Sequence, residues 1–209
     1  SFFELPITYS KDEGVRPLRI PLYDGTDAYV YGKVDRVDLY KKNGKVYVRV
    51  VDYKTGEKSF SLSDIELGLN MQMLLYLFAI CQNPPRRLLD DAECTINDVL
   101  PAGVLYMSVK APNITSNSYI DGESAVSSAE KSLSRDGILI DDIDVLRAME
   151  KDLAGKYIPV SLKKDGSFGA YSKVESLEGF GNILSQIENT VKRLSSELKS
   201  GSANAVPLK

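Results

Sequence analysis

Residues 29–56 read YVYGKVDRVDLYKKNGKVYVRVVDYKTG, and this stretch decides the fold. Asn43 and Gly44 lie between two runs rich in Val and Tyr. This pattern predicts a β-hairpin with a two-residue turn, because such turns need positive φ at both central residues. If these are the turn residues, the numbers of opposed residues sum to 87. The register then predicts two stabilising cross-strand pairs, Asp38 with Arg49 and Tyr40 with Tyr47.

The same register places Asp35 opposite Asp52, in a pair whose Cα atoms approach to about 4.5 Å. Because side chains alternate along a strand, Lys54 points to the same face as both carboxylates, among valines. Two carboxylates about 4 Å apart repel by roughly 4 kcal/mol at an effective dielectric constant of about 20. A divalent cation relieves this repulsion, and Mg²⁺ is usually held by one or two carboxylates. The hairpin therefore predicts a metal site.

The whole chain has the composition of an ordinary globular domain. Its 209 residues are 43% hydrophobic and 26% charged, which excludes disordered and fibrous proteins. The net charge of −3 gives no bulk attraction to nucleic acid, so binding to DNA needs a local basic patch. Cys81 and Cys94 have no metal-ligand spacing, and the chain has no histidine, so we expect reduced thiols.

We expect a cytoplasmic protein with no membrane partner. The longest apolar run, around residues 71–80, is too short to span a bilayer, and the N-terminus lacks the charged start of a signal peptide. The chain begins without methionine, at Ser1, and ends on a weakly structured stretch. We therefore also expect a fragment of a larger protein.

Elements outside the hairpin predict an α/β fold of the α+β kind. Apolar spacing and turn residues predict strands at 17–22 and 103–109, a charged loop at 86–101, helices at 64–82 and 174–199, and, less regularly, a helix near 143–149 and a strand at 157–162. On the first long helix Gln72 and Tyr76 lie four residues apart on one face, where we expect a buried setting.

Three motifs in this order resemble the PD-(D/E)xK nucleases of the RecB type. They read GKVDRVD at 32–38, VVDYKTG at 50–56 and QMLLY at 72–76. The resemblance implies a restriction-endonuclease-like mixed β-sheet flanked by helices. It also implies hydrolysis of DNA phosphodiester bonds with Mg²⁺ or Mn²⁺ as cofactor.

The resemblance assigns a role to each matching position. Asp35 and Asp52 would be metal ligands, with the backbone carbonyl of Tyr53 as a third. Lys54 would orient the attacking water or stabilise the charge that develops on the phosphate. The family's remaining polar pair, placed near the active site and the DNA strand, corresponds to Gln72 and Tyr76.

A more specific likeness is to the nuclease domains of ATP-dependent helicase–nuclease subunits. It rests on the GxxDRxD form of the first motif and on the segments LPAGVLYMSV at 100–109 and RDGILIDD at 135–142. The likeness implies that residues 1–209 are a single nuclease domain of a larger subunit. It further implies an exonuclease that acts with a partner subunit in double-strand break repair and recombination.

Two features of that likeness are missing from the chain. Related nucleases commonly supply a His or Glu from a helix before the first strand, but this chain has no His, and Glu4 and Glu13 lie on no predicted helix. Related subunits also often hold an iron–sulfur cluster with four cysteines. Cys81 and Cys94 do not match those positions, so a cluster is expected only in the full-length parent.

Every site residue also has an interpretation without a catalytic role. Strand aspartates such as Asp35 and Asp52 are often simply solvated, and Lys54 lies beside a turn, where surface lysines are common. Gln72 and Tyr76 can be satisfied polar residues of a core helix. The alternative function is a catalytically silent DNA-binding or scaffold domain with the same fold. Affinity for a divalent cation distinguishes the two.

Overall fold

The chain forms a mixed β-sheet with helices on both faces. The computed structural model describes residues 1–9, 14–55, 59–108 and 135–201. In chain order the strands are β1 (Phe2–Ile7), β2 (Leu18–Pro21), β3 (Asp27–Val30), β4 (Gly32–Lys42), β5 (Lys45–Lys54), β6 (Val99–Ser108), β7 (Arg135–Ile140) and β8 (Val174–Glu175). The helices are α1 (Gln72–Gln82), α2 (Arg86–Ala92), α3 (Ile143–Met149) and α4 (Leu177–Lys199).

Within the described ranges, six strands pair in the order β1-β4-β5-β6-β7-β8, and β2 and β3 form a separate ribbon. The β5–β6 and β7–β8 pairs are parallel and the other pairs are antiparallel. A mixed sheet flanked by helices is the predicted restriction-endonuclease-like fold, which is confirmed. The described residues contain no helix that is both long and apolar enough to cross a membrane.

The hairpin of β4 and β5 has the predicted register. Asn43 and Gly44 adopt φ values of 51° and 73° at the turn. Seven opposed pairs follow, and the numbers of each pair sum to 87, as far as Arg36 opposite Val51. The predicted Asp38–Arg49 ion pair is present, with 2.6 Å between Arg49 Nη2 and Asp38 Oδ2, and Tyr40 lies opposite Tyr47.

Each face of the sheet packs against its own core. Val48 and Val50 join apolar side chains of α1, α4 and the β2–β3 ribbon. Val51 points to the opposite face and packs with Leu146 of α3 and the chain that follows it. Alternation along β5 therefore places Asp52, two residues after Val50, on the face covered by α1.

The predicted helix over 64–82 is two elements. A 3₁₀ turn at Leu62–Leu67 precedes α1. Gly68 and Asn70, between them, adopt left-handed φ values of 78° and 55°. This backbone conformation ends a helix. The apolar spacing continues across the break, so periodicity alone did not reveal it.

Two weaker expectations also need correction. The charged loop predicted over 86–101 contains α2, whose Leu88 and Ala92 are buried. The strand predicted at 157–162 forms only single bridges in the described chain, from Ser161 to Ala154 and from Leu162 to Phe168. The predicted helix near 143–149 is confirmed as α3, and the predicted long helix begins at Leu177 because β8 takes up the preceding residues.

Candidate active site

Asp35 lies where the regular pairing of β4 stops. Val34 and Val37 are both buried in the α1-side core although they are three residues apart, so the alternation is broken between them. Pairing with β5 ends at Arg36, and pairing with β1 passes over Asp35. On β1 the residue beside this gap is Glu4, which has a left-handed φ of 51°. Because of this irregularity, the direction of the Asp35 side chain is not set by the regular alternation of side chains along the strand.

The Asp35 carboxylate bonds to the backbone of the neighbouring strand. Its Oδ2 accepts a hydrogen bond from the Tyr53 N–H at 3.1 Å. If the regular register continued, the Val34 carbonyl would face this N–H. Asp35 thus replaces a backbone acceptor and lies against the peptide that joins Asp52 to Tyr53. Direct opposition of Asp35 and Asp52 lies just beyond the observed pairs and stays a prediction.

Asp52 and Lys54 form an ion pair on the predicted common face, with 2.6 Å between Lys54 Nζ and Asp52 Oδ2. Both side chains are mostly buried. Apart from this ion pair, no described group gives the buried Oδ2 atom a hydrogen bond. The Tyr53 side chain points the other way, where its hydroxyl accepts from Arg36 Nη1 at 3.2 Å. Only the backbone of Tyr53 is therefore available to the site.

Gln72 and Tyr76 contact each other at the start of α1, where Gln72 Nε2 donates to the Tyr76 hydroxyl at 3.0 Å. Tyr76 is buried, as expected, whereas Gln72 is exposed, so the predicted buried setting is wrong for Gln72. The glutamine occupies the first position of the helix, at the edge of the core. Its amide can therefore contact both Tyr76 and a bound molecule.

Gly32 allows Tyr76 to reach the strand that carries Asp35. A Cβ atom at Gly32 would lie 2.0 Å from the Tyr76 hydroxyl, so any side chain there would overlap the ring. A glycine inside a strand often marks such a close approach. The glycine of the first motif thus makes room for the tyrosine of the third. Their contact lies at Gly32, three residues before Asp35.

Tyr106, which no sequence motif singled out, lies between two acidic residues on the sheet. On β6 it is opposite Asp52 on one side and Asp136 of β7 on the other. Its ring is buried and packs against Phe60. Burial first, then the charges of Asp52 and Asp136, raise the pKa of Tyr106 to about 12. The phenol therefore stays protonated at neutral pH.

Asp136 anchors the segment that follows the second motif. Its Oδ2 accepts from the Phe60 N–H at 2.8 Å and from Lys173 Nζ at 2.8 Å. Lys173 also donates to the Phe60 carbonyl at 3.0 Å. The sequence carried one signal for this contact, the RDG of the 135–142 segment. Its partners come from distant parts of the chain and could not be identified without the strand order.

The oxygen atoms of the site fit a divalent cation. Asp35 and Asp52 supply carboxylates, the Tyr53 carbonyl is adjacent, and within the described ranges the buried Asp52 Oδ2 has no partner besides the Lys54 ammonium. Mg²⁺ suits such a set because it completes its coordination with water and substrate oxygens. The described residues contain no group of three or more His, Cys, Asp or Glu side chains that could hold a metal. Glu4 pairs with Lys33 at 3.0 Å and does not join the carboxylates.

The two cysteines lie apart from this site. Both are free thiols that pack partly buried against the core. Burial raises the pKa of Cys81 to about 12, and burial together with the charge of Asp98 raises the pKa of Cys94. Neither thiol is therefore activated toward metal binding or nucleophilic chemistry, because both depend on the thiolate.

Comparison with known proteins identifies the family. The PD-(D/E)XK nuclease superfamily matches residues 3–207. A protein from Acetivibrio thermocellus, named as a subunit of an ATP-dependent helicase/deoxyribonuclease, is 34% identical over 215 residues, which cover 100% of this chain and 18% of the relative. The protein of the same name from Clostridium acetobutylicum is 33% identical over 205 residues, which cover 97% of this chain and 17% of the relative. The chain spans less than a fifth of the length of these curated relatives. The family match covers nearly all of the chain, and the chain therefore belongs to the PD-(D/E)XK nuclease superfamily.

Proposed function

We propose that this chain is a divalent-metal-dependent deoxyribonuclease domain that hydrolyses DNA phosphodiester bonds. One observation carries the proposal: Asp35 binds the peptide between Asp52 and Tyr53, while a buried Asp52 oxygen has the Lys54 ammonium, 2.6 Å away, as its one partner among the described residues. Acidic oxygens and an ammonium group are thus gathered around the C-terminal end of β5, inside the sheet. This is the set of groups that phosphodiester hydrolysis needs.

Asp35, Asp52 and the Tyr53 carbonyl would hold Mg²⁺ or Mn²⁺, which when bound polarises a phosphate and lowers the pKa of an attacking water. The chain's own groups complete the site. Lys54 can donate hydrogen bonds to a water or a phosphate oxygen and offset the negative charge that develops there. The exposed Gln72 amide, held by Tyr76, can position the DNA backbone.

The names of the relatives support a DNA substrate and a larger assembly. Both are named as subunits of an ATP-dependent helicase/deoxyribonuclease. We further propose that this domain works as an exonuclease beside a helicase–nuclease partner subunit, in the cytoplasm, during double-strand break repair and recombination.

One observation favours the alternative, a catalytically silent domain with the same fold. The Lys54 ammonium already neutralises Asp52, so the site is not obliged to bind a cation. A silent domain would keep this ion pair and bind DNA without cutting it. Measurement of metal binding separates the two functions, because only the nuclease needs the carboxylates to bind a divalent ion.

The test is degradation of end-labelled linear DNA in Mg²⁺ or Mn²⁺. The unaltered chain is compared with Asp52→Asn and with an EDTA control. Asp91→Asn, which changes an exposed side chain of α2, serves as the matched substitution outside the site. We expect cleavage by the unaltered chain and by Asp91→Asn only. Cleavage that persists in Asp52→Asn or in EDTA contradicts the proposal, and absence of both cleavage and Mn²⁺ binding by the unaltered chain supports the silent domain.

A further inference from the structure

Three exposed tyrosines form a cluster beside the candidate active site. The rings of Tyr29 and Tyr31 lie 5.7 Å and 6.0 Å from that of Tyr9, each tilted by more than 60° to it. Tyr9 and Tyr31 are each 55% exposed and Tyr29 is 40% exposed. A contiguous patch of aromatic surface in contact with water commonly marks an interaction site.

The β2–β3 ribbon presents one of these rings outward. Its inner face buries Leu18 and Ile20 in the α1-side core, so residues between them point away from the core. Arg19 lies between them and is opposite Tyr29 across the ribbon. The Arg19 side chain is well exposed and bonds to Asp27 at 2.8 Å. The Arg19–Asp27 ion pair therefore flanks the tyrosine cluster on the same outward surface, where the Tyr29 hydroxyl also donates to Asp27 Oδ2 at 3.4 Å.

The cluster is close to the carboxylates along the chain. Tyr31 precedes Asp35 by four residues, and an extended chain advances by at most about 3.6 Å per residue, so their Cα atoms are within roughly 14 Å. A stacked DNA strand advances by about 3.4 Å per nucleotide, so this separation corresponds to about four nucleotides. Gly32, next to Tyr31, is also the backbone that Tyr76 contacts. Tyr31 thus immediately precedes β4, the strand that carries Asp35.

We propose that the tyrosine cluster is a stacking platform for unpaired bases of a DNA strand whose backbone enters the candidate site at Asp35 and Asp52. This placement of the strand rests on the proposed nuclease function. Exposed aromatic side chains bind single-stranded nucleic acid by stacking, because every base offers a π-face. Bases inside a duplex are already stacked and cannot use such a surface unless they are flipped out. The platform therefore selects single-stranded segments.

The test measures binding without cleavage. A fluorescently labelled oligothymidylate and an abasic oligomer of equal length are titrated with the full chain in EDTA. Loss of one base–aromatic stack corresponds to about 5- to 150-fold in affinity. We expect the double variant Tyr9→Ala, Tyr31→Ala to bind oligothymidylate at least about fivefold more weakly, with unchanged binding to the abasic strand. The Phe double variant, which keeps both rings, should bind like the unaltered chain.

Two controls separate stacking from misfolding. Tyr171→Ala removes a ring that is 95% exposed elsewhere on the surface and should leave binding unchanged. A misfolded double variant would lose affinity for both oligomers, in which case the single variants Tyr9→Ala and Tyr31→Ala decide. The platform proposal is overturned if the double variant and the unaltered chain bind oligothymidylate equally well. It is also overturned if the unaltered chain does not bind oligothymidylate more tightly than the abasic strand.

The outcome is independent of the cleavage assay. If DNA is cleaved as proposed but the tyrosine variants bind normally, the platform alone is wrong, and the exposed rings face another partner. If base-dependent binding is lost in the variants while the unaltered chain never cleaves DNA, the platform stands and the nuclease proposal fails. A single-stranded binding surface would then belong to the silent domain.

Discussion

The two faces of the β4–β5 hairpin treat their acidic residues differently. On one face Asp38 accepts from both Arg36 and Arg49, and also from Ser1. On the other face the Lys54 ammonium is the one partner that the described residues give to Asp52, and it pairs with the buried Oδ2. Carboxylates that stabilise a fold are usually saturated with donors, because an unpaired buried charge costs free energy. This difference is what we expect if Asp52, which has fewer partners than Asp38, binds a ligand as proposed.

The substitution Asp52→Asn should have the largest effect on activity and little effect on stability. We expect DNA cleavage to fall by at least about 100-fold, as when one transition-state-stabilising group is removed. Because the Lys54 side chain is 35% exposed and its ammonium can be solvated when the ion pair is lost, the free energy of unfolding should change by less than about 1 kcal/mol. Gel assays of end-labelled DNA and urea unfolding measure the two quantities.

The same variant tests the ligand interpretation directly. Mn²⁺ at about 100 times its dissociation constant should raise the free energy of unfolding of the unaltered chain by about 2.7 kcal/mol, and should not stabilise Asp52→Asn. Equal stabilisation of both proteins would place the metal elsewhere.

Asp38→Asn should give the opposite pattern. Its removal leaves Arg49, which is largely buried, without its carboxylate partner. The expected loss is about 1–3 kcal/mol in the free energy of unfolding, since a buried charged donor is left unsatisfied. The cleavage rate measured well below the unfolding temperature should stay within about twofold of the unaltered rate. A large loss of activity in the folded Asp38→Asn protein would erase the distinction between the two faces.

Gly32→Ala tests the link between the hairpin and α1. The new Cβ would overlap the Tyr76 hydroxyl, and overpacking of this kind costs about 1–3 kcal/mol. The double variant Gly32→Ala, Tyr76→Leu lacks the ring, so the added methyl group should lower the free energy of unfolding less than it does in the presence of Tyr76. A double-mutant cycle by thermal unfolding measures this coupling, and strictly additive effects would contradict the contact.

The smallest expected effect is on the pH dependence of stability. Burial raises the pKa of Asp38, but hydrogen bonds from Arg49 and Arg36 more than offset this, so its pKa lies below the ordinary value. Such a carboxylate stabilises the fold above its unfolded pKa of about 3.9, and this contribution is lost as pH falls through the lower folded pKa. The stability difference between the unaltered chain and Asp38→Asn should therefore shrink below about pH 4. A difference that grows in acid would reverse the assignment.

Local signals explain why the hairpin could be predicted and parts of the site could not. The Asn43-Gly44 turn and the alternating valines define a register within one short stretch. The irregularity at Asp35 depends on β1, where Glu4 adopts a left-handed φ that no neighbouring residue in the sequence predicts. Likewise, Asp136 meets Lys173 only because β7 lies beside β8 at the far edge of the sheet. Contacts between remote segments need the strand order, which the motifs do not contain.

The parallel pairing of β5 with β6 has a consequence for how relatives of this chain can diverge. The C-terminal ends of both strands lie side by side, with Lys54 next to Ser108. β7 begins at the same end of the sheet, where Arg135 lies opposite Met107. The ends of β5 and β6 and the start of β7 therefore lie beside Asp52, whereas the register that positions the carboxylates is set by pairs within the strands. We therefore expect relatives to tolerate changes of length just beyond these strand ends more readily than within the paired strands, where an added residue would shift the register and move Asp52 or Lys54 to the other face.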